Sequence, residues 1–503
     1  MRRYILSFLL IICVLMVSCA RKEIKPHKTE LTHITILYFN DYHGHMLPFK
    51  AHFDDEHEVG GMARIATIVK EIKRENGENR VPTLFLCAGD VLQGTPMSTV
   101  FKGQPDFECL NEMGLNAMVL GNHEFDYGQE NLNKLRNMAK FAILGANVLS
   151  ERGQSPIVRS YYTRNLHGIK VHIMGLVTDD TPVTTHPRNV QNLVFADPIH
   201  TAKKVLKKLN KDDLIIALTH LGYEVDKELA RSAQDIDIII GGHSHTKLER
   251  PVKLGNTIIC QAYEYGEFIG RLDLDIEEGK IARITGSLIP VTDEVEEDST
   301  IKEIVDGYAA KLDESLKQVI GTAVTPLNGE RESVRNEETN LGNLIADVMR
   351  DMGKADVAFI NGGGIRASID QGDITVEEVL TVLPYENHLV TLRLTGAEIL
   401  TILKRHAGLE PGDGAFLQVS GLMMEIGDKK IESLSIAGMQ VEMDKPYTVA
   451  TNDFLAAGGD GYETFKNGRD YVDTGLLISD MVIDYIKTNK TIDAKTEGRI
   501  TKN

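Results

Sequence analysis

Five short segments of this chain bring carboxylate, imidazole and amide side chains together at spacings that suit metal ions. They are Asn40-Asp41-Tyr42-His43-Gly44, Gly89-Asp90, Gly121-Asn122-His123-Glu124-Phe125-Asp126, Thr219-His220 and Gly241-Gly242-His243-Ser244-His245. Oxygen and imidazole donors without thiolate suit zinc, manganese, iron or cobalt, and they argue against a structural zinc finger. Asp41, His43, Asp90, Asn122, His220, His243 and His245 make seven candidate ligands, too many for one tetrahedral ion but enough for two if Asp90 bridges. Such a pair of ions sits roughly 3.5 to 4 Å apart and can hold a hydroxide between them. Two dications against Asp41 and Asp90 leave a net positive pocket that draws a phosphate. If strand geometry persists through these segments, residues two apart point the same way. Asp41 with His43, and His243 with His245, are then each expected to share an ion.

The segments need a scaffold that converges them. Short apolar runs of buried-strand type precede each one: Ile34 to Phe39, Thr83 to Ala88, Ala117 to Leu120, Leu214 to Leu218 and Ile236 to Ile240, with further runs at Phe141 to Leu144 and Val171 to Val177. Helical spacing over Gly61 to Lys73 and Ile199 to Asn210 predicts α/β layers with helices covering the sheets. In such sheets ligands bind at the carboxyl ends of strands, where all five segments stand. An acidic stretch of helical pattern from Ser299 to Gln318 reads as a connector. After it a second α/β or α+β unit begins, with a helix at Leu341 to Met352 and glycine-rich loops at Gly362 to Gly364 and Gly458 to Gly461. The predicted organisation is a signal and tether over 1–31, a catalytic domain over 32–297, a linker helix and hinge over 298–325, and a substrate-binding domain over 326–503.

Length and charge set limits on partners. The 503 residues, 42% hydrophobic, exceed one compact core and suggest two globular domains. A formal net charge of −18 excludes a nucleic-acid polymer as a natural partner, since binding its phosphates needs a basic surface. A small phosphate ester remains compatible, because bound cations supply the attraction locally. Of the five cysteines, Cys13 lies in an N-terminal apolar run, and Cys87, Cys109 and Cys260 are widely spaced without metal-ligand pattern. Cys87 and Cys260 sit in apolar runs and read as small core residues.

Taken in order, the segments resemble the calcineurin-like metallophosphoesterase superfamily. Beyond them, Asn361-Gly362-Gly363-Gly364-Ile365-Arg366, Leu383-Pro384-Tyr385, and Asn452-Asp453-Phe454-Leu455 followed by Gly458-Gly459-Asp460-Gly461 resemble the C-terminal domain of the 5'-nucleotidase family. The resemblance implies a layered β-sandwich metallophosphoesterase domain flanked by helices, a linker helix and a second α/β (α+β) domain that binds substrate. It assigns Asp41, His43, Asp90 and His245 to one ion, and Asp90, Asn122, His220 and His243 to the other. His123 becomes a catalytic residue oriented by Asp126, an imidazole placed to stabilise phosphoryl charge or protonate a leaving oxygen. Asp126 has a competing reading as the N-cap of a helix over Tyr127 to Lys140, and His45 reads as an exposed loop residue. In the second domain Tyr385 and Phe454 match rings that clamp the base. Arg366 offers a planar fork for a phosphate or carboxylate, while Asn361, Asn387 and Asp460 can hydrogen-bond base or ribose. The chain departs from the animal ecto-nucleotidases at Asn340, where they carry arginine, so a cationic contact is expected to be missing. Tyr385 replaces the more common phenylalanine.

The N-terminus carries an address. Arg2 and Arg3 precede an apolar run from Tyr4 to Val17, too short to span a bilayer, and Met16-Val17-Ser18-Cys19 resembles a bacterial lipobox. The expectation is export with lipidation at Cys19 and anchoring to the cell envelope, on the outer membrane. The leading expectation for function is release of phosphate from nucleoside 5'-monophosphates by in-line attack of a metal-bound hydroxide, with two divalent ions, zinc or manganese first and magnesium, cobalt or iron also suited. The alternatives are a 2',3'-cyclic-nucleotide phosphodiesterase and 3'-nucleotidase or a UDP-sugar hydrolase using the same site, and a non-enzymatic surface binding lipoprotein.

Overall fold

A computed structural model describes residues 31–51, 54–150, 155–312 and 314–502. The predicted signal and Cys19 lie outside them. No described helix is long and apolar enough to cross a membrane.

The N-terminal half forms two six-stranded sheets, each with four parallel strands and two antiparallel pairings, both at one edge in the first sheet and one at each edge in the second. The first runs Lys280–Pro290, Phe268–Glu277, Thr32–Phe39, Thr83–Cys87, Ala117–Val119, Ala142–Leu144, the last four parallel. The second runs Val252–Leu254, Thr257–Cys260, Ile238–Ile240, Leu214–His220, Ile169–Val177, Tyr161–Leu166, with the middle four parallel. Strand alternation explains how they stack. Ile216 and Leu218 face the first sheet and join the core built on Ile34, Ile36 and Leu84. Ile215 and Ala217, one residue out of phase, pack instead with Val205, Leu206 and Leu229 of the helices Pro198–Leu206 and Tyr223–Ser232. This is the layered sandwich with covering helices.

All seven anticipated strands are present, with ends shifted by up to two residues, and the two anticipated N-terminal helices appear as Met62–Glu78 and Pro198–Leu206. The connector differs in kind. Its helix spans Ser299–Ala309, with a short 3-10 turn at Glu314–Lys317 in place of a continuous helix to Gln318. Ile301, Val305 and Tyr308 belong to the N-terminal core, and Tyr308 donates to Glu108 at 2.8 Å. The apolar stripe of the helix thus fastens it to the first domain.

The second half centres on a five-stranded sheet ordered Leu417–Ser420, Val357–Asn361, Pro446–Asn452, His388–Thr395, Arg469–Leu477. The helix Asn340–Gly353, capped by Thr339 accepting from the Gly342 amide, covers one face, and separate apolar clusters fill the two sides.

Candidate metal centre and substrate cavity

The candidate ligands stand where the parallel strands end, but the backbone beyond the strands does not stay extended. Asp41, His43, Asp90, His243 and His245 all have positive φ, between 48° and 77°. The period-two expectation therefore fails for one of its two pairs. Asp41 and His43 do share a group with His245, whereas His243 turns to Asp90 and His220, the ligand atoms in each group lying within 4.8 Å of one another. His243 and His245 are split by the turn between them. The split of the two histidines follows the one implied by the family resemblance, and a third group brings His123 to His43 and Asp90.

Asp90 lies between the groups. Its Oδ2 is 2.9 Å from His220 Nε2 and 4.0 Å from His43 Nε2. Its amide and those of Val91 and Gly121 all donate to Glu124, which pins the loop. A Cβ on Gly121 would overlap the Asp90 carboxylate, so only glycine lets the two loops meet there.

The donor set fits divalent cations. His43 Nδ1 faces the Gln93 carbonyl at 2.9 Å, His220 Nδ1 faces the Ala88 carbonyl at 2.7 Å, and His245 Nδ1 faces Glu264. Each acceptor holds the ring proton on Nδ1 and leaves the Nε2 lone pair for the cluster. His43 Nε2 and His245 Nε2 consequently point at each other across 3.3 Å, and His220 Nε2 is buried against Asp90 Oδ2 at 2.9 Å. Lone pairs so placed repel unless a cation lies among them. Burial raises Asp41 to about 7, although His220 opposes this, and burial pulls His243 down to about 3. Burial opposes charge at Asp90 and His220 as well, but there the pair outweighs it: His220 holds Asp90 well below the carboxylate range, and Asp90 raises His220 to about 10. Asn122 completes the second group, its Oδ1 lying 3.1 Å from His243 Nδ1.

His123 stands beside this cluster. Its Nδ1 meets Asp126 Oδ2 at 2.5 Å, its amide donates to Asp90 Oδ1, and Thr185 donates to the other Asp126 oxygen at 2.6 Å. Burial disfavours the imidazolium, but the Asp126 and Asp90 carboxylates outweigh it and hold His123 above its ordinary value. Asp126 is not the N-cap of the next helix, which starts at Gly128 with Tyr127 at its N-cap and no side-chain cap bond. His45 is not a free loop residue either, since its ring stacks on Tyr265 at 4.1 Å and burial lowers it to about 4.

A cavity of about 840 Å³ opens from the metal cluster into the second domain, and Asn361, Arg366, Tyr385, Asn387, Phe454 and Asp460 all line it. Tyr385 reaches the first domain, its ring 6.1 Å from that of His123. Phe454 lies over Gly459, where a Cβ would stand 2.5 to 2.6 Å from three ring atoms. Asn361 donates to Asp460 at 2.8 Å and accepts from Asn452. Burial, with Asp413 nearby, raises Asp460 to about 7.

Several residues escaped the motif reading. Arg331 and Arg335, from the segment after Asn328, join Arg366 on the cavity wall, and Asn340 is not among its lining residues. Asn340 instead ties that segment down, accepting from the Asn328 amide at 2.7 Å and donating to the Pro326 carbonyl. Burial and the neighbouring Arg331 and Arg366 pull Arg335 down to about 9, and its Nε has no hydrogen-bond partner. The wall is poised for an anion. Glu264, which orients His245, lies 3.5 Å from Arg331 and so links the metal cluster to the second domain. It follows the strand Thr257–Cys260 as the other segments follow theirs; applying the strand-end rule to that run as well would have found it.

Comparison with known proteins agrees with this architecture. The calcineurin-like phosphoesterase family matches residues 34–247, and the 5'-nucleotidase C-terminal domain matches residues 319–467. A 5'-nucleotidase of Vibrio cholerae is 33% identical over 526 aligned positions, covering 95% of this chain and 94% of the relative. The trifunctional nucleotide phosphoesterase protein YfkN of Bacillus subtilis is 34% identical, with 94% of this chain matching 35% of that longer protein. The crystal structure of a 5'-nucleotidase precursor from Thermus thermophilus superposes with a TM-score of 0.86 at 33% identity, covering 93% of this chain and 99% of that one. The fold and site define a two-domain metallophosphoesterase, and the chain belongs to the 5'-nucleotidase family.

Proposed function

We propose that this protein releases phosphate from nucleoside 5'-monophosphates at a centre of two divalent ions, zinc or manganese by preference. The observation that carries the reading is one cavity that joins the His and Asp groups of the first domain to the arginines and aromatic rings of the second. Asp41, His43, Asp90 and His245 hold one ion, and Asp90, Asn122, His220 and His243 the other. Cations bound there supply Lewis acidity to the phosphoryl oxygens and a water of lowered pKa. His123, oriented by Asp126, stabilises charge on the phosphoryl group or protonates the leaving oxygen. Arg331, Arg335 and Arg366 hold the phosphate's remaining charge, and Tyr385 with Phe454 receive the base on either face. Asn361, Asn387 and Asp460 supply hydrogen bonds to base and ribose. The molecule acts after export, anchored to the cell envelope, on its outer membrane, through a lipid on Cys19.

A second reading keeps the centre and changes the ester: 2',3'-cyclic nucleotides, 3'-nucleotides or nucleotide sugars. Three arginines in a cavity of this size suit more than one phosphate, and the relative from Bacillus subtilis bears the name of a trifunctional nucleotide phosphoesterase. Phosphate release by the manganese-loaded chain from AMP, 3'-AMP, 2',3'-cyclic AMP and UDP-glucose separates the readings. AMP is expected to give the highest kcat/KM. A higher value for one of the others moves the assignment to the second reading, and no release from any of them overturns both.

A further inference from the structure

We propose a second anion site in the N-terminal domain, apart from the metal cluster, that binds a phosphate-bearing molecule. A cleft of about 820 Å³ opens where the outer strands of the two sheets meet, with Ala142–Leu144 ending one sheet and Tyr161–Leu166 ending the other. Arg136, Lys140, Arg159 and Arg164 line it, and among the described residues no lining residue is Asp or Glu. Lys73 joins them from the helix Met62–Glu78, for a Cβ on Gly114 in the cleft would stand 3.4 Å from its Nζ. Burial and then the nearby Arg164 bring Lys73 down to about 8.

None of these five cations forms an ion pair among the described residues, whereas Lys70, Arg469 and Arg499 elsewhere do. Two of them are fixed rather than free. Lys73 donates to the carbonyls of Met113 and Gly114 at 2.9 Å, and Arg136 donates across the cleft to the Ile157 carbonyl at 2.7 Å. Arg164 and Tyr162, two apart on the edge strand, share a face, their Nη1 and hydroxyl lying 3.4 Å apart. In a chain with a net charge of −18, four cations lining one cleft, with Lys73 behind Gly114 and no ion pair to any of them among the described residues, create a local field of opposite sign, which an anion relieves. Phosphate matches it best, since its oxygens accept from guanidinium forks and ammonium groups together.

The site is separate from the catalytic cavity by construction. Asn116 and Phe141 lead into the amino ends of the parallel strands Ala117–Val119 and Ala142–Leu144, whereas the metal cluster lies at the carboxyl ends. Thr32 enters the same sheet at that amino end. The phosphate has two sources, a free anion and a lipid headgroup. Charged side chains on an edge strand also prevent edge-to-edge pairing, and that role alone requires no anion binding.

Calorimetric titration of the metal-loaded full chain with inorganic phosphate tests the site, with the C19S substitution in every sample so that no acyl chain contributes. Two sites per chain are expected, and the R159A/R164A double variant should weaken one by about tenfold or more while leaving kcat for AMP unchanged. After EDTA treatment the parent should keep the cleft site, so failure there and failure at the metal centre read differently. Flotation with phosphatidylglycerol against phosphatidylcholine vesicles forms the second arm. Loss of flotation in the double variant, with unchanged phosphate isotherms, assigns the lipid headgroup as the source. Equal isotherms and equal flotation for parent and variant, with or without aggregation of the variant, overturn the proposal.

Discussion

The rings of His123 and Tyr385 lie 6.1 Å apart across the boundary between the domains. The group proposed to act on the leaving oxygen therefore faces the group proposed to hold the base. A nucleotide bound between the metal cluster and Tyr385 must pass its ester oxygen close to His123, whose position is fixed by Asp126 and Thr185. His123→Ala is expected to lower kcat by about a hundredfold to ten-thousandfold, with metal content by mass spectrometry unchanged. Loss of metal along with activity would make His123 a ligand instead.

Glu264 orients His245 and stands 3.5 Å from Arg331 of the second domain. Glu264→Ala is expected to weaken metal binding to the apo protein by about tenfold to a hundredfold, because the imidazole loses the partner that fixes its tautomer. Glu264→Gln, which can still accept the hydrogen bond, should recover part of that loss. Calorimetry of metal binding reads both variants, and parent-like affinity for the alanine variant would remove Glu264 from the positioning role.

Asp106 carries a buried carboxylate with no hydrogen-bond partner among the described residues, and burial raises it to about 7 from an ordinary 3.8. The folded protein holds this proton more tightly than the unfolded chain does. Stability from this group is thus full below about pH 4 and is lost as pH rises toward 7. Asp106→Asn should unfold at a higher temperature than the parent at pH 8, by a stability gain of up to a few kcal/mol. The advantage should shrink toward pH 4. A constant difference across that range would show that the carboxylate does not titrate as described.

Catalysis draws on both domains, so release of product is expected to need them to part. Lys102 and Glu386 approach to 3.8 Å across the boundary, and Cys87, Cys109 and Cys260 are all buried. With Cys13 and Cys19 also replaced by serine, a K102C/E386C variant should therefore react with a short bismaleimide only at the new thiols. Bridging is expected to lower turnover at least tenfold, while single-thiol labelling leaves it near the parent value. Unchanged turnover after bridging would mean that the domains need not move.

Much of this site was legible because each metal-binding segment is short and directly follows an apolar strand, so neighbours in sequence are neighbours in space. Asp41 and His43 show this directly. What sequence could not supply was the turn geometry: positive φ at His243 and His245 sends the two imidazoles to different groups, against a simple period of two. Arg331 and Arg335 lie in a polar stretch that reads as ordinary surface, and only the approach of the second domain brings them onto the cavity. The acidic stretch after Ser299 read as a connector between domains, yet Ile301, Val305 and Tyr308 supply enough apolar surface to join the first core.

The central claim is that nucleotide hydrolysis depends on cations held by the Asp and His groups around Asp90. Phosphate release from AMP should vanish in EDTA and return on adding manganese or zinc to the parent, and Asp90→Asn should neither bind two ions per chain nor recover. Release from AMP that persists in EDTA after bound metal is shown to be gone, or full activity of the Asp90→Asn variant, would contradict the account.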